Sequence, residues 1–559
     1  MTTDQLILDY VYKHESELAD RVLLTQPVGG GKVVDLTWAQ AVDQSRRVAA
    51  HLKGLGFAPG ARIAMLSKNC AHFIVAELAI WMAGYTTVAI FPTETAETVR
   101  YVLEHSESSL LLVGKLDSWP QQQPGVPAGL PCIAMPLAPK TDFETWDAIV
   151  ARTAPLAGQP ARKATDLAML MYTSGSTGTP KGVMISFEGI TRAGEGIVDD
   201  TRHHIGKDTE CRMLSYLPLA HSFERSWVEV QALVDGHIHL FFAESLDTFV
   251  QDLQRARPVL FISVPRLWLK FQQGVFAKMP PAKLDRLLSI PLLGGIVARK
   301  IRKGLGLDQV LRAGSGSAPI PPALITWYRR IGLPLYEGYG MTEDNSYSCS
   351  SNEQHNAPGY VGVTMPGVQV RISPEGEILI KSPGRMVGYY KQPELSAESF
   401  TEDGFFHTGD LGELRADGLL KITGRAKEIF KTAKGKYVAP APIENLLNAH
   451  PMIELSLVSG VGQASAYAIV LLAESLRPRQ QEPGLRKQVQ ADLGLLLDDV
   501  NRQIPDYQQL RMIIVASEPW SIENGCLTPT MKIRRARIET AVAPLVERWY
   551  AERQKVQWA

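Results

Sequence analysis

The chain has 559 residues, in which 58 Lys and Arg are balanced by 58 Asp and Glu. The length allows three or four folding units of about 150 residues each, and the cancelled charge gives nucleic acid no electrostatic footprint. Hydrophobic residues at 45% and charged residues at 21% fit an ordinary globular protein. Five cysteines (Cys70, Cys132, Cys211, Cys349 and Cys526) are scattered without a Cys-x-x-Cys pair. That argues against a disulfide framework or a zinc ribbon and for a reducing compartment. The first ten residues lack the basic head and apolar core of a signal peptide, which points to the cytoplasm.

Residues 35–115 alternate helical and strand-like patterns. Helices are predicted over Trp38 to Gly54, Ala71 to Ala83 and Ala96 to Glu104, with strands at Arg62 to Leu66, Thr86 to Ile90 and Leu110 to Val113. Such alternation implies a parallel sheet. The apolar run from Phe73 to Phe91 is broken by Glu77 and by Gly84-Tyr85-Thr86-Thr87, so it reads as helix then strand and not as a membrane span. Pro120 to Pro139 is Pro-rich and reads as a loop. Leu167 to Met171 is a buried strand.

A second β/α series runs from Met213 to about Glu337. Within it, Leu287 to Ile301 is apolar and runs into Arg299-Lys300-Ile301-Arg302-Lys303. A core helix with a solvated basic end is the favoured reading, and a helix resting on a membrane surface is the alternative. From Val361 the pattern changes to short alternating strands, Val368 to Ile372 and Glu377 to Lys381, with a further hairpin between Gly412 and Gly424. These suggest a small antiparallel unit. Charge concentrates at Gly424-Arg425-Ala426-Lys427-Glu428. Beyond it, helices (Pro442 to Ala449, Leu485 to Asn501) mix with strands (Leu455 to Gly460, Tyr467 to Leu472, Arg511 to Val515).

The most informative stretch is Tyr172-Thr-Ser-Gly-Ser-Thr-Gly-Thr-Pro-Lys-Gly-Val183. Three glycines are interleaved with hydroxyl residues and followed by Lys181. Glycine lets amides approach an anion closely, consecutive amides and hydroxyls make a concave donor surface for phosphate, and the lysine adds a point charge. The loop leaves a strand end, where α/β proteins bind nucleotides. It is not a Walker A loop, because Pro180 precedes the lysine and Gly182 follows it.

Further motifs follow in order: Ser215-Tyr-Leu-Pro-Leu-Ala-His221-Ser-Phe-Glu-Arg225, Gly314-Ser-Gly-Ser317-Ala318-Pro319 after the apolar Val310-Leu311, Tyr336-Glu-Gly-Tyr339-Gly-Met-Thr342-Glu343, His407-Thr-Gly-Asp410, and Leu527-Thr-Pro-Thr-Met-Lys532-Ile-Arg-Arg535. Over about residues 35–540 the chain resembles the AMP-forming acyl-CoA synthetases of the adenylate-forming (ANL) superfamily, and most of all the long-chain fatty-acid–CoA ligases. The resemblance implies an α/β fold. A large N-terminal AMP-binding domain (1–424) would hold two β/α subdomains and a small β-barrel-like unit. A hinge (425–428) would join it to a smaller, mobile α+β C-terminal domain (429–559). It implies ATP and coenzyme A as substrates, Mg2+, and a fatty acid joined first to AMP and then to the thiol.

By the same resemblance, Thr173, Ser174, Gly175, Ser176, Thr177, Gly178, Thr179 and Lys181 cradle the β- and γ-phosphates. Ser317, Ala318, Pro319, Glu337, Gly338, Tyr339 and Gly340 form the adenine pocket. Asp410 and Arg425 hold the ribose, as a carboxylate suits a vicinal diol. Thr342 contacts the AMP phosphate, and Glu343 is the Mg2+ ligand, with Thr177 as a second candidate. His221 sits beside the acyl carboxylate; its spacing to Glu224 is wrong for zinc. Lys532 reaches the carboxylate and α-phosphate in the first step. Many relatives have glycine before this lysine, whereas this chain has Met531. Lys427 is the hinge, and Lys434 and Gly435 line the coenzyme A tunnel, although Gly435 also suits a hairpin turn. Trp227 is either a gate or plain core.

Three other readings stay open: an acyl-AMP or carrier-protein ligase without coenzyme A, an aryl-acid–CoA ligase, and a non-catalytic acyl-adenylate sensor. An amino-acid-activating enzyme would need a carboxylate near His221, for which Glu224 is the candidate. Acyl chain length is not legible.

Overall fold

Near-continuous apolar strands form where helices cover both faces of a parallel sheet. The runs around residues 62–66, 86–90 and 108–113 do so here. The computed structural model describes residues 5–174, 179–528 and 531–559. It sets these runs in an eight-stranded sheet, ordered Gly388–Tyr389, Pro180–Ser186, Leu167–Ser174, Thr86–Ile90, Arg62–Leu66, Ser108–Val113, Cys132–Ala134 and Glu144–Thr145. Helix Trp38–Gly54 starts at a capping box: Thr37 accepts from the Gln40 amide while the Gln40 side chain returns to the Thr37 amide. Its neighbour Ala71–Met82 is apolar almost all round and buried along nearly its whole length.

Two sequence expectations change. The Pro-rich segment is not all loop: Trp119–Gln122 is a helical turn and Cys132–Ala134 extends the sheet. Pro131 precedes that strand and still offers its carbonyl to Leu111 N, so proline masks a strand without preventing it. The second β/α series is divided between two sheets. Cys211–Ser215 and Ile238–Phe242 join Val22–Pro27 and Val33–Thr37, whereas Leu260–Ser263, Arg312–Ser315 and Leu335–Tyr339 run parallel in a five-stranded sheet. The strand before the Gly-Ser-Gly-Ser segment is therefore Arg312–Ser315, and Leu311 lies outside it, half exposed. Alternation in sequence sets the order of elements but not the sheet each strand joins.

The expected helix over 287–301 is also different. It is a hairpin of two helices, Pro281–Leu288 and Leu293–Leu305, with the apolar tip between them in water. Strands Gln369–Ile372, Glu377–Lys381, Phe406–Leu414 and Leu420–Arg425 form an antiparallel sheet in linear order. After the turn Ala426–Glu428, two separate cores are built only from later residues, around the sheet Ile453–Ser459, Ala466–Leu472, Leu510–Val515 and Val556–Trp558. The protein is thus a large N-terminal unit and a smaller C-terminal one.

One buried ionic cluster ties the N-terminal unit together. Arg225, at the start of the π-helical turn Arg225–Val230, is fully buried with Glu77 and Glu229. Its guanidinium binds the Glu77 carboxylate, lies 3.2 Å from Glu229, and donates through Nε to Leu219 O at 2.8 Å. Burial, then the Glu77 charge, pushes the Glu229 carboxyl well above its ordinary range. Arg225→Met strands both carboxyls without a cation. Unfolding in urea should show a loss of about 3–5 kcal/mol; an unchanged midpoint would contradict this account.

Candidate active site

The phosphate-loop segment connects two antiparallel strands. Thr173 pairs with Lys181 and Ser174 with Pro180, so the segment is bounded by a strand on each side and not by a strand and a helix. Gly175, Ser176, Thr177 and Gly178 lie outside the described residues; Thr179 is exposed. The Lys181 ammonium sits 5.4 Å from the centre of the Tyr389 ring. The Tyr389 hydroxyl donates to Glu343 Oε1 at 2.9 Å. One phenol therefore stands between the loop lysine and the candidate metal glutamate. Glu343 Oε2 is left for a hard cation, which takes carboxylate and phosphate oxygens.

Asp410 and Arg425 are cross-strand partners in the antiparallel sheet. Arg425 Nε donates to Asp410 Oδ1 at 2.9 Å and the Tyr339 hydroxyl donates to Oδ2 at 2.6 Å. Burial, then Asp410, raises the Tyr339 phenol well above its ordinary value, so it remains a donor. Each Asp410 oxygen keeps a second lone pair. Close approach requires one glycine here and crowds another. A Cβ on Gly340 would meet the Ser346 backbone at 2.5 Å, and one on Gly316 would meet the Phe223 ring at 3.3 Å. Ser317 has φ of +67°, Gly338 continues the same strand as Tyr339, and Ala318 and Pro319 are exposed at the rim. Glu337 is nearly buried, and burial pushes it up to about 8. It accepts from Ile320 N at 3.4 Å and acts as a neutral acid beneath the adenine segment.

His221 caps a short helix: its Nδ1 accepts from Phe223 N at 3.1 Å. Burial, then the Lys532 charge, lowers its pKa to about 3. The ring is therefore neutral, and with Nδ1 accepting, the proton sits on Nε2 as a donor. Thr342 Oγ1 lies 3.3 Å from Ser222 Oγ, which also accepts from Ser346 Oγ at 2.8 Å.

Lys532 comes from the C-terminal unit. Its backbone is pinned by Thr528, whose amide donates to Lys532 O at 2.8 Å and whose Oγ1 accepts from Lys532 N at 3.1 Å. The ammonium shares an electrostatic field with Arg425, Asp410, Glu343 and Glu428, and bears on His221. Water still reaches part of the side chain within the cleft, but protein surrounds it. That burial, then Arg425, lowers its pKa to about 8. Met531 before it has φ of +63°, a conformation that favours glycine and so explains the commoner residue there. Residues distant in sequence, from 221 to 532, thus meet around one cleft.

Three other sequence candidates are exposed, and a fourth is buried. Lys427 is exposed in the turn Ala426–Glu428. Lys434 and Gly435 are exposed at the tip of the hairpin Phe430–Lys431 and Tyr437–Val438. There Gly435 has φ of +77°, and a Cβ would meet only Lys431 Cε at 3.9 Å. In this arrangement the turn accounts for the glycine. Glu224 faces the core: it accepts from Ser215 Oγ at 2.7 Å and Tyr216 N at 2.9 Å, and burial raises it to about 8. It is not available to a substrate ammonium.

Sequence reasoning missed the far wall of the cleft. Arg312 is only 4% exposed, donates to Ser350 Oγ at 3.1 Å, lies 2.9 Å from Asp200, and stands over the Tyr336 ring. The available signal was strand periodicity: Arg312 and Gly314 lie on one face of the same strand. Trp227 belongs to the buried core, as its plain-core reading expected, and also borders the cleft, where its Nε1 donates to Ser346 O at 2.9 Å. Away from the cleft, Glu454 of the C-terminal unit joins Arg266 of the N-terminal unit and also Arg477, at 2.7 Å.

The AMP-binding enzyme family matches residues 13–390 and the AMP-binding enzyme C-terminal domain matches 427–554. The long-chain-fatty-acid–CoA ligase FadD15 of Mycobacterium tuberculosis is 30% identical over 586 positions, covering 97% of this chain and 96% of that protein. The long-chain-fatty-acid–CoA ligase 1 of Homo sapiens is 28% identical, covering 92% of this chain and 82% of that one. In fold, the chain is similar to the A-PCP didomain of carboxylic acid reductase from Segniliparus rugosus in complex with AMP (TM-score 0.81, 23% identity, 99% and 83% covered). The anthranilate CoA ligase AuaEII in complex with anthranoyl-AMP is similar too (TM-score 0.78, 19% identity, 98% and 99% covered). With family matches over both units and kinship along nearly the whole length, the chain belongs to the AMP-binding enzyme family and is an AMP-forming acid–thiol ligase of the fatty-acid–CoA ligase type.

Proposed function

We propose that the protein activates a medium- to long-chain fatty acid with ATP and transfers the acyl group to coenzyme A, using the residues gathered at the interdomain cleft. The convergence of Lys532 with Asp410, Arg425, Glu343 and His221 carries this reading. In the first step a carboxylate oxygen attacks the α-phosphorus and pyrophosphate leaves. Two anions must meet, so the site has to neutralise charge and align them. Lys532 supplies a mobile ammonium between carboxylate and α-phosphate. His221 donates its Nε2 proton in a hydrogen bond to the carboxylate, orienting it without adding charge. Thr342 holds an α-phosphate oxygen, the loop from Thr173 to Lys181 holds the outer phosphates, and Asp410 with Arg425 holds the ribose. Glu343 would hold Mg2+, which screens the phosphate charge when bound.

In the second step the thiolate attacks the acyl carbonyl and AMP leaves. The exposed Lys434 and Gly435 turn serves this step after the C-terminal unit turns about Lys427. The five free thiols support a reducing, cytoplasmic setting. No helix among the described residues is long and apolar enough to cross a membrane, and contact with the inner membrane surface belongs to the same reading.

Three outcomes test the assignment. Lys532→Ala should cut pyrophosphate release by about a hundredfold or more while leaving transfer from preformed acyl-AMP largely intact; equal loss in both half-reactions would refute the role. The pH profile gives a second check. Lys532 works as an ammonium, so kcat/KM for pyrophosphate release should be level below its pKa of about 8 and fall above it. The corresponding limb in kcat should move to higher pH, because bound ATP favours the charged form. Gly435→Leu should do the reverse of Lys532→Ala, lowering thioester formation and sparing pyrophosphate exchange.

A further inference from the structure

The activation chemistry uses one end of the cleft. Gly316, just past the strand Arg312–Ser315, lies against the Phe223 ring beside the nucleotide segment. Arg312 opens the same strand, about 13 Å back at the usual rise of four strand residues, and is in register with Leu260. Between these ends Phe223, Trp227, Leu260 and Ile262 give the cleft an apolar lining. Methylene groups fit such a passage. A guanidinium on the wall beside Leu260 has no part in that chemistry.

The polar contacts of Arg312 all fall on one nitrogen. Its Nη2 lies 2.9 Å from Asp200 Oδ2 and donates to Ser350 Oγ at 3.1 Å and to Ser351 O at 3.3 Å. Its Nη1 is buried and has no partner among the described residues. That nitrogen carries two N–H donors, and buried donors are seldom left unpaired. An arginine kept only to tie helix Phe187–Ile205 to the neighbouring strands would spread its donors over those groups. Here the unspent nitrogen belongs to a residue that lines the cleft. Charge narrows what could meet it. Burial lowers the Arg312 pKa from its ordinary value, and Asp200 leads the groups that raise it. His204, beside Asp200, is lowered by burial and adds no positive charge. A carboxylate arriving here would find the guanidinium already matched by Asp200 and would be buried without a cation of its own. A neutral acceptor brings no charge to match.

We propose that Arg312 reads an uncharged oxygen, a hydroxyl or a carbonyl, towards the far end of the acyl chain, so that the preferred substrates are oxygenated fatty acids. The inference rests on the fatty-acid reading and deepens it. The substrate oxygen accepts from Nη1, whereas a plain chain leaves that donor unpaired against methylene groups. A site built to hydrogen-bond a substrate oxygen rejects the analogue that lacks it for this reason.

The test measures kcat/KM for pyrophosphate release by the full chain, with coenzyme A present, on matched acids: octanoate, decanoate and dodecanoate, their ω-hydroxy and (ω−1)-oxo forms, and the dicarboxylates of the same lengths. At one length or more, an oxygenated acid should exceed its plain parent by about tenfold or more, chiefly through KM. Arg312→Met should bring that ratio to about one. Damage to the fold alone would lower both acids alike and leave the ratio standing, and the wild-type comparison needs no variant. Plain acids used as well as every oxygenated counterpart, a dicarboxylate preferred to the hydroxy acid, or an unchanged ratio in Arg312→Met would each overturn the proposal while leaving the fatty-acid reading intact. Silence of the wild type towards every acid, plain and oxygenated, would sink the fatty-acid reading and this proposal with it.

Discussion

The site depends on placing one ammonium among fixed charges. In the proposed reading Lys532 acts from a cleft where the surrounding protein, then Arg425, lowers its pKa while Asp410, Glu343 and Glu428 raise it. In that reading the ammonium stands open to incoming substrate, and a fixed cation facing a developing negative charge stabilises it. The surrounding groups are arranged to keep their own charge states simple. His221 is neutral, Glu337 and Glu224 are held towards the neutral acid, and Asp410 is committed to Arg425 and Tyr339. Few groups are left to compete for the ammonium.

Backbone strain gathers at the same place. Ser317, Asn345, Ser346 and Met531 all have positive φ. They flank the adenine segment, the Thr342 turn and Lys532. Such states persist only where surrounding contacts over-determine them, and they set side-chain directions that relaxed backbone would not. Asn345 is held by its amide donating to Gly384 O at 2.7 Å, and Ser346 by Ser222 and Trp227.

Much of this was legible in the sequence because the chemistry is carried by short runs of unusual composition. The Gly/Ser/Thr loop, Tyr339 to Glu343, Asp410 and Lys532 each announce themselves by residue type. The first β/α series was legible because each element carries its own period, and helix Trp38–Gly54 was bounded correctly. What failed was whatever depends on distant partners. The division of the second series between two sheets, the strand Cys132–Ala134 within Pro-rich sequence, and the polar wall at Arg312 are all decided by partners outside the local segment. The helix expected over 287–301 failed for another reason: apolar composition says that a surface avoids water, not that this fold covers it. Glu224 looked available to a substrate, and only the structure shows Ser215 and Tyr216 already on it.

The bridge at Glu454 bears on how the two units part. Its carboxylate is shared by Arg266 across the interface and by Arg477 on its own side. A two-membered bridge, pulled apart, would leave a poorly hydrated anion behind and so resist opening. Here the anion travels with a spare guanidinium, and the arginine left behind is the partner with access to water. Under the proposed rotation, separation exchanges this contact for hydration without orphaning a charge, because Arg477 stays with Glu454.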